Sequence, residues 1–343
     1  ERKKKSSEAS WQAPFHIERI MVENMKVNSE TIKTGEILVE VVRNELVESV
    51  HSGHLLILGA DGREVLALGS TKHAMYPRSA IKAIQASAMV RSGLKLDPKL
   101  LALVCSSHAG TSEHMDGAVA ILKSAGLDES ALKNTPDKPL GDKERRAWGN
   151  SAPTSLAANC SGKHSGMVAT CAINGWDVAT YLNPNHPLQL ACREELERLS
   201  GEKVSQVAVD GCGAPLFAIT LSGLAKAIHA LTVSKDPVHQ EVVEACREFP
   251  IMVSGEGRLP TLAMQKVPGL FCKDGAEGVV VLSLQDGQTL VWKISDGSFR
   301  GAAQLMIAGL ARMGIKVEFE PEKVFGGGQV VGEIRASTLL RHG

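Results

Sequence analysis

A serine hydroxyl and a lysine amine stand three residues apart in Arg78-Ser79-Ala80-Ile81-Lys82, just after Tyr76-Pro77 and at the start of an apolar-periodic run. On a helix, residues i and i+3 share a face. The lysine therefore sits beside the hydroxyl it would have to deprotonate, as in serine acyl-enzymes that use Ser-x-x-Lys. An amine kept neutral by burial and nearby cations can take that proton, and Arg78 supplies one such cation. The serine would then attack a carbonyl carbon and form an ester. The same spacing also arises by chance, as a helix-start serine with an exposed lysine one turn on.

Three further clusters bear on that choice. Cys105-Ser106-Ser107-His108-Ala109-Gly110-Thr111 follows the apolar run Leu100 to Val104. Its hydroxyls could relay a proton or bind substrate, or simply cap a helix. Lys273-Asp274-Gly275 stands directly before a strand predicted over Gly278 to Leu284. Its glycine would let the strand backbone approach a substrate, and its ammonium could face a carboxylate; an exposed turn has the same composition. Asn159-Cys160-Ser161-Gly162-Lys163-His164-Ser165 and Asp210-Gly211-Cys212-Gly213 each precede a predicted helix. Two thiols, a lysine, a histidine and an aspartate make a metal cluster plausible. Cys-x-x-Lys replaces the usual Cys-x-x-Cys, however, and a lysine ligand must lose its proton. Plain buried cysteines are the competing reading. Gly326-Gly327-Gly328 lacks the context of a phosphate loop and is expected to be a flexible connection.

The elements that must position these groups form a strand-helix-strand order. Ile37 to Val42 is β-rich, and Gly53 to Leu58 and Glu64 to Leu68 flank the turn signal Asp61-Gly62. Helical patterns begin near Ser79 and cover His114 to Ala125, Gly166 to Leu182, Pro187 to Leu199, Pro215 to Ala230 and Val238 to Glu248. Strands return over Gly278 to Leu284 and Thr289 to Ile294. A helix carrying Leu305, Ile307, Leu310 and Met313 follows, and then a last strand over Val330 to Arg335. The predicted class is α+β: an antiparallel sheet built from both ends of the chain, with helices packed on it and a helical insert. Residues 1–36 read as an extension with an apolar patch near Ile17 to Met25. Residues 37–343 read as one catalytic domain, with sheet parts about 37–72 and 270–343 and a helical part about 73–269.

Bulk properties exclude several functions. Lys+Arg and Asp+Glu both total 38 in 343 residues, so neither nucleic acid nor an anionic membrane is favoured as a partner. Aromatic content of 4% leaves little for base stacking. No stretch approaches a membrane span, and the basic run Glu1 to Lys5 is expected to be a solvated tail. Seven scattered cysteines argue for a reducing, cytoplasmic setting without a disulfide framework.

Taken together, the ordered motifs resemble a family. Val41 to Gly53, Tyr76-Pro-Arg-Ser-Ala-Ile-Lys82, Ser107-His108, Asn159 to Ser165, Asp210-Gly-Cys-Gly-Ala-Pro215, Gly255-Glu-Gly-Arg258, Lys273-Asp-Gly-Ala-Glu-Gly278 and Val331-Gly-Glu-Ile334 are similar to the Rhizobium-type L-asparaginases. The resemblance runs from about residue 37 to the end. It implies a fold like that of serine β-lactamases and glutaminases, and hydrolysis of L-asparagine to aspartate and ammonia. It assigns Ser79 as nucleophile, Lys82 as its base, Ser107 as a second hydroxyl and Lys273 as the residue completing the site. Arg78, His108, Asp210 and Gly275 fall to substrate binding, with Asp210 also standing behind the metal. The resemblance further implies a zinc ion on Cys160, Lys163 and Cys212 that positions substrate rather than activating water, and a homodimer. One motif departs: Ser107-His108-Ala109-Gly110-Thr111 stands where the family has Ser-His-Ser-Gly-Glu, which leaves Ser106 as a competitor to Ser107. Glutaminase, another acyl hydrolase on the same scaffold, and a zinc-binding protein without catalysis remain open as alternatives.

Overall fold

The computed structural model describes residues 35–341. The apolar patch near Ile17 to Met25 and the rest of the extension, up to residue 34, lie outside the described residues. The main sheet is antiparallel and uses both ends of the chain. Its strands are β1 (Glu36–Arg43), β2 (Leu46–Leu58), β3 (Glu64–Leu68), β7 (Phe271–Gly275), β8 (Val279–Ser283), β9 (Thr289–Ile294), β10 (Lys323–Gly326) and β11 (Gln329–Ala336). They run in the order β10-β11-β1-β2-β9-β8-β7, with β3 paired to β2. The fold class predicted from the strand-helix-strand order is the one observed.

The central strands are rich in β-branched residues and buried on both faces. All five residues of β8 (Val279–Ser283) are buried, as are five of six in β9. A strand buried on both faces must be covered on both. Helix Leu221–Val233 packs on β2, β8 and β9. Helix Ala302–Arg312 packs on β1 and β11 and lays Gly309 against Leu290 of β9.

The insert departs from the prediction at one point that matters for function. Pro215 to Ala230 is not one helix: Pro215–Thr220 is strand β6, and the helix starts at Leu221. Thr220 caps that helix by accepting from the Gly223 N–H at 2.8 Å. Strand β6 pairs with β4 (Ala74–Met75) and β5 (Gln206–Val209) in a small second sheet. Asp210-Gly-Cys-Gly therefore closes the β5–β6 hairpin instead of preceding a helix. Among the helices, Ser161–Asn174 starts five residues before the predicted Gly166 and stops at Gly175, which is left-handed (φ 66°). Gly326-Gly327-Gly328 is no loose connection. Gly327 and Gly328 have φ of 56° and 80° and form the tight two-residue turn between β10 and β11. Among the described residues, no helix is long and apolar enough to cross a membrane.

Candidate active site

Strand β4 delivers the chain into Tyr76-Pro77 and a 3-10 turn, Arg78–Ile81; the α-helix starts only at Lys82. Ser79 thus lies in a tight turn at the mouth of the helix rather than inside it. Arg78 has φ of 53°, a conformation that costs a non-glycine residue roughly 1–2 kcal/mol. Its guanidinium is held by Asp210, Nε to Oδ1 at 2.9 Å and Nη2 to Oδ1 at 2.8 Å. The pairing of β4 with β6 makes this possible, because it places the β5–β6 hairpin beside the Ser79 turn. From the other side, strand β7 presses on the turn through Gly275. A Cβ there would lie 2.5 Å from the Pro77 carbonyl oxygen and 3.0 Å from the Ala80 nitrogen, so only glycine fits.

Two buried lysines converge on one hydroxyl. The Lys82 amine donates to the Ser106 carbonyl and, at 3.2 Å, to Ser107 Oγ, not to Ser79. Burial lowers its pKa to about 7, helped by the positive charges of Lys163 and Lys273 and opposed by the Cys160 and Cys212 thiols. Lys273 lies within edge strand β7, not in a loop before it, and its amine reaches Ser107 Oγ at 3.0 Å. The same amine donates to Asp274, at 2.6 Å to the carbonyl and 2.5 Å to Oδ1. Arg258 Nη2 holds Asp274 Oδ2 at 3.2 Å. Burial would raise the Asp274 pKa, but the charges of Lys273 and Arg258 outweigh it and keep the carboxyl ionised. With both Ser107 lone pairs receiving amines, its own O–H is left to donate into the cavity it lines. The Ser106 hydroxyl is buried without a partner among the described residues and lines neither cavity beside Ser79, whereas Ser107 lines the larger of the two. Backbone bonds from Ser107 N–H to Val253 O and from His108 N–H to Asn159 O, both 3.0 Å, fix this segment.

His108 is fully buried and lies on the wall of neither cavity beside Ser79. Its ring stacks on His114 at 5.0 Å, and Nε2 meets Ser161 Oγ at 2.8 Å. Burial, then the neighbouring charges of His114 and Lys82, holds it neutral. The chain passes beside Asn159 directly after Ser107, so the imidazole anchors the Asn159–Ser161 turn from a position off both cavities.

Two cavities meet at the Ser79 turn, and Ser79, Asn159 and Ala276 line both. The smaller, about 240 Å³, is polar, with Arg78, Asp210, Thr135, Cys160 and Cys212 on its walls. The larger, about 570 Å³, opens past Ser107, Gly275 and the Arg258–Asp274 pair into an apolar cleft.

Behind the smaller cavity, ligand atoms of Cys160, His164 and Cys212 lie within 4.8 Å of one another. His164 Nδ1 meets the Tyr181 hydroxyl at 2.7 Å, while Nε2 is buried without a hydrogen-bond partner among the described residues. Burial lowers the His164 pKa, which favours the neutral imidazole that a metal would need. A hydrogen bond from Cys160 lowers the Cys212 pKa, with the charge of Lys163 adding to that, and the same bond raises Cys160. Lys163 Nζ donates to Cys212 Sγ at 3.4 Å. Burial opposes the Lys163 charge, but the thiols and Asp210 outweigh it and raise its pKa. Two sulfurs and a ready imidazole suit a metal such as zinc; Lys163 would have to give up a stabilised proton to join them. The sequence placed His164 in the plausible metal cluster, but the ligand set that the resemblance implied left it out, although Cys160-x-x-x-His164 has the spacing of one helical face. Asn159 and the Arg258–Asp274 pair were missed as site residues, and only the fold brings Arg258 to Asp274.

No protein of curated function matches the sequence. Remote structural likenesses exist. A β-lactamase from Mycobacterium bovis is 14% identical, with TM-score 0.39, over 72% of this chain and 88% of that one. Mglu in its native form is 11% identical, with TM-score 0.43, over 85% and 71%. EstCE1, a hydrolase with promiscuous acyltransferase activity, is 10% identical, with TM-score 0.38, over 79% and 92%. At that distance these likenesses say nothing of chemistry. The sequence itself is decisive: residues 39–336 match the model of the L-asparaginase II family, and the chain belongs to that family.

Proposed function

We propose that this protein is an amidohydrolase that releases ammonia from L-asparagine through an ester on Ser79. The observation that carries this reading is the Lys82 amine, buried, without an acidic partner among the described residues, and lowered to about 7. A neutral amine has two N–H donors and one lone pair. Its donors are engaged by Ser106 O and Ser107 Oγ, which leaves the lone pair to accept the Ser79 proton. Ser79 Oγ bonds to the amide carbon, and the carbonyl oxygen takes the charge. The Ser79 N–H, in a first helical turn without an intrahelical acceptor, would stabilise it. As the C–N bond breaks, Ser107 gives its proton to the departing ammonia and is resupplied from the protonated Lys82. Water then hydrolyses the ester by the reverse path. Arg78 and Asp210 in the polar cavity would take the amino-acid head of the substrate.

Zinc would be held by Cys160, Cys212 and a nitrogen of His164 or Lys163. It would supply a fixed positive charge that holds the Asp210 hairpin and positions substrate.

A second reading is favoured by the two amines at Ser107 Oγ: Ser107 itself as nucleophile. Ammonia release from L-asparagine and L-glutamine, by the parent and by Ser79→Ala, tests the proposal. Turnover of asparagine that depends on Ser79 is expected. Equal turnover by Ser79→Ala would refute the Ser79 assignment, and a preference for glutamine would refute the substrate.

A further inference from the structure

The cavity on the leaving-group side is far too large for ammonia. Ammonia is about the size of a water molecule, whose share of liquid volume is roughly 30 Å³. The cleft that Ser79 and Ser107 open into is about 570 Å³, within the range of roughly 300–1,000 Å³ typical of sites for drug-sized ligands. Its charged groups are already engaged. Arg258 holds Asp274 at 3.2 Å, and Glu322 accepts from the Gly301 N–H at 3.1 Å. Leu259, Pro260, Val280, Phe299, Ala303 and Met306 line it as well. Phe299 is 43% exposed, so a large apolar ring stands at the wall with much of its surface uncovered.

The two cavities are also divided by chemistry at the Ser79 turn. Each carries a guanidinium–carboxylate pair, Arg78–Asp210 in the small one and Arg258–Asp274 in the large one, but only the large one adds an apolar wall. The large one carries Ser107, whose free O–H is the proton donor for a departing amine. Proton donor and apolar cleft therefore lie on one side, and the reading above leaves the small cavity to the amino-acid head.

We infer that the enzyme also hydrolyses secondary amides of the aspartate side chain whose leaving amine is apolar, with that amine seated in the cleft. The inference rests on the amidohydrolase reading above. The Ser79 Oγ–C bond forms as the hydroxyl proton passes to Lys82. The C–N bond then breaks with the Ser107 proton moving to nitrogen, and the free amine leaves. Water cleaves the ester to aspartate and regenerates Ser79. Apart from the amide, only water is consumed.

The test compares L-asparagine with the β-methylamide and β-cyclohexylamide of L-aspartate, using the whole chain. The two leaving amines are of similar basicity, so their ratio reads the cleft. The cyclohexylamide is expected to exceed the methylamide in kcat/KM by about tenfold or more, as extra apolar contact in a pocket gives. Ala303→Trp, which fills the cleft, and Phe299→Ser, which strips its wall, are expected to bring that ratio towards one. Phe299 is exposed enough that its replacement should fold, and a thermal melt checks each variant. If asparagine is hydrolysed and the cyclohexylamide is no faster than the methylamide, the inference is wrong and the amidohydrolase reading stands. A high ratio that neither folded variant lowers also overturns it. If none of the three amides is cleaved, the amidohydrolase reading itself fails and the inference falls with it.

Discussion

Lys82 and Lys273 reach the same hydroxyl from opposite regions of the fold, one from the first turn of the helical insert and the other from the edge strand of the sheet. Both are buried, at 2% and 0% exposure. They differ in company. Lys273 is paired with Asp274, and Arg258 secures that carboxylate from behind. Lys82 has no acidic partner among the described residues; it faces a carbonyl and a hydroxyl, with Lys163 and Lys273 repelling its charge. Burial alone does not make a base. An amine in a dry site becomes one only where no carboxylate compensates its charge.

Replacing each lysine with methionine should break the pair apart. Lys82→Met is expected to lower kcat by at least about a thousandfold, as removal of a nucleophile's base does. In the parent, kcat/KM should rise with pH through about 7 as Lys82 loses its proton, since only the neutral amine accepts one. A profile flat from pH 6 to 8 would remove the base from the account. Stability should rise with pH too, over a higher range. The folded pKa lies below the unfolded value of about 10.4. Below about pH 7 the amine is charged in both states, and the native state bears the full burial cost. As pH rises from about 7 towards 10 that cost is lifted. Lys82→Met should therefore melt higher than the parent at pH 6, and by a smaller margin at pH 9.

Lys273→Met should do the opposite to stability. It leaves Asp274 largely buried with only Arg258 for company, and removing one partner of such a pair costs about 3 kcal/mol or more. Chemical unfolding should show the loss, and adding Asp274→Asn should recover part of it. A Lys273→Met protein as stable as the parent would mean that the two lysines are alike after all.

Smaller effects test how the site is positioned. Gly275→Ala puts a methyl against the Pro77 carbonyl and should cost on the order of a hundredfold in kcat by shifting the Ser79 turn, with a melt that shows the fold retained. His164→Gln should weaken zinc binding by roughly 10- to 100-fold. Titration of the metal-free protein with zinc, or the absorption of a cobalt-loaded sample, would show it. Unchanged affinity would return the nitrogen position to Lys163.

The sequence made much of the sheet legible because its strands are marked by β-branched runs and by turns such as Asp61-Gly62. The motif residues Ser79, Lys82, Ser107, Cys160, Cys212 and Lys273 could be named because each stands in a short segment with its own composition. What could not be read was which groups touch. Lys82 is three residues from Ser79, yet its amine hydrogen-bonds Ser107, 25 positions away. The strand Pro215–Thr220 resembles a helix start by composition, and only pairing with β4 and β5 makes it a strand. That pairing in turn sets Asp210 against Arg78, a contact between residues 132 positions apart. His108 lies in a site motif but faces inward, and nothing local distinguishes it from a residue that faces substrate.

The central claim is that the acyl group is carried by Ser79, with Lys82 as its base. Enzyme quenched in acid during turnover of L-asparagine, digested and mapped by mass spectrometry, tests it most directly. The account predicts an aspartyl ester on the peptide that contains Ser79 and none on the peptide that contains Ser107. An ester on Ser107, or one that still forms in Ser79→Ala, would contradict it.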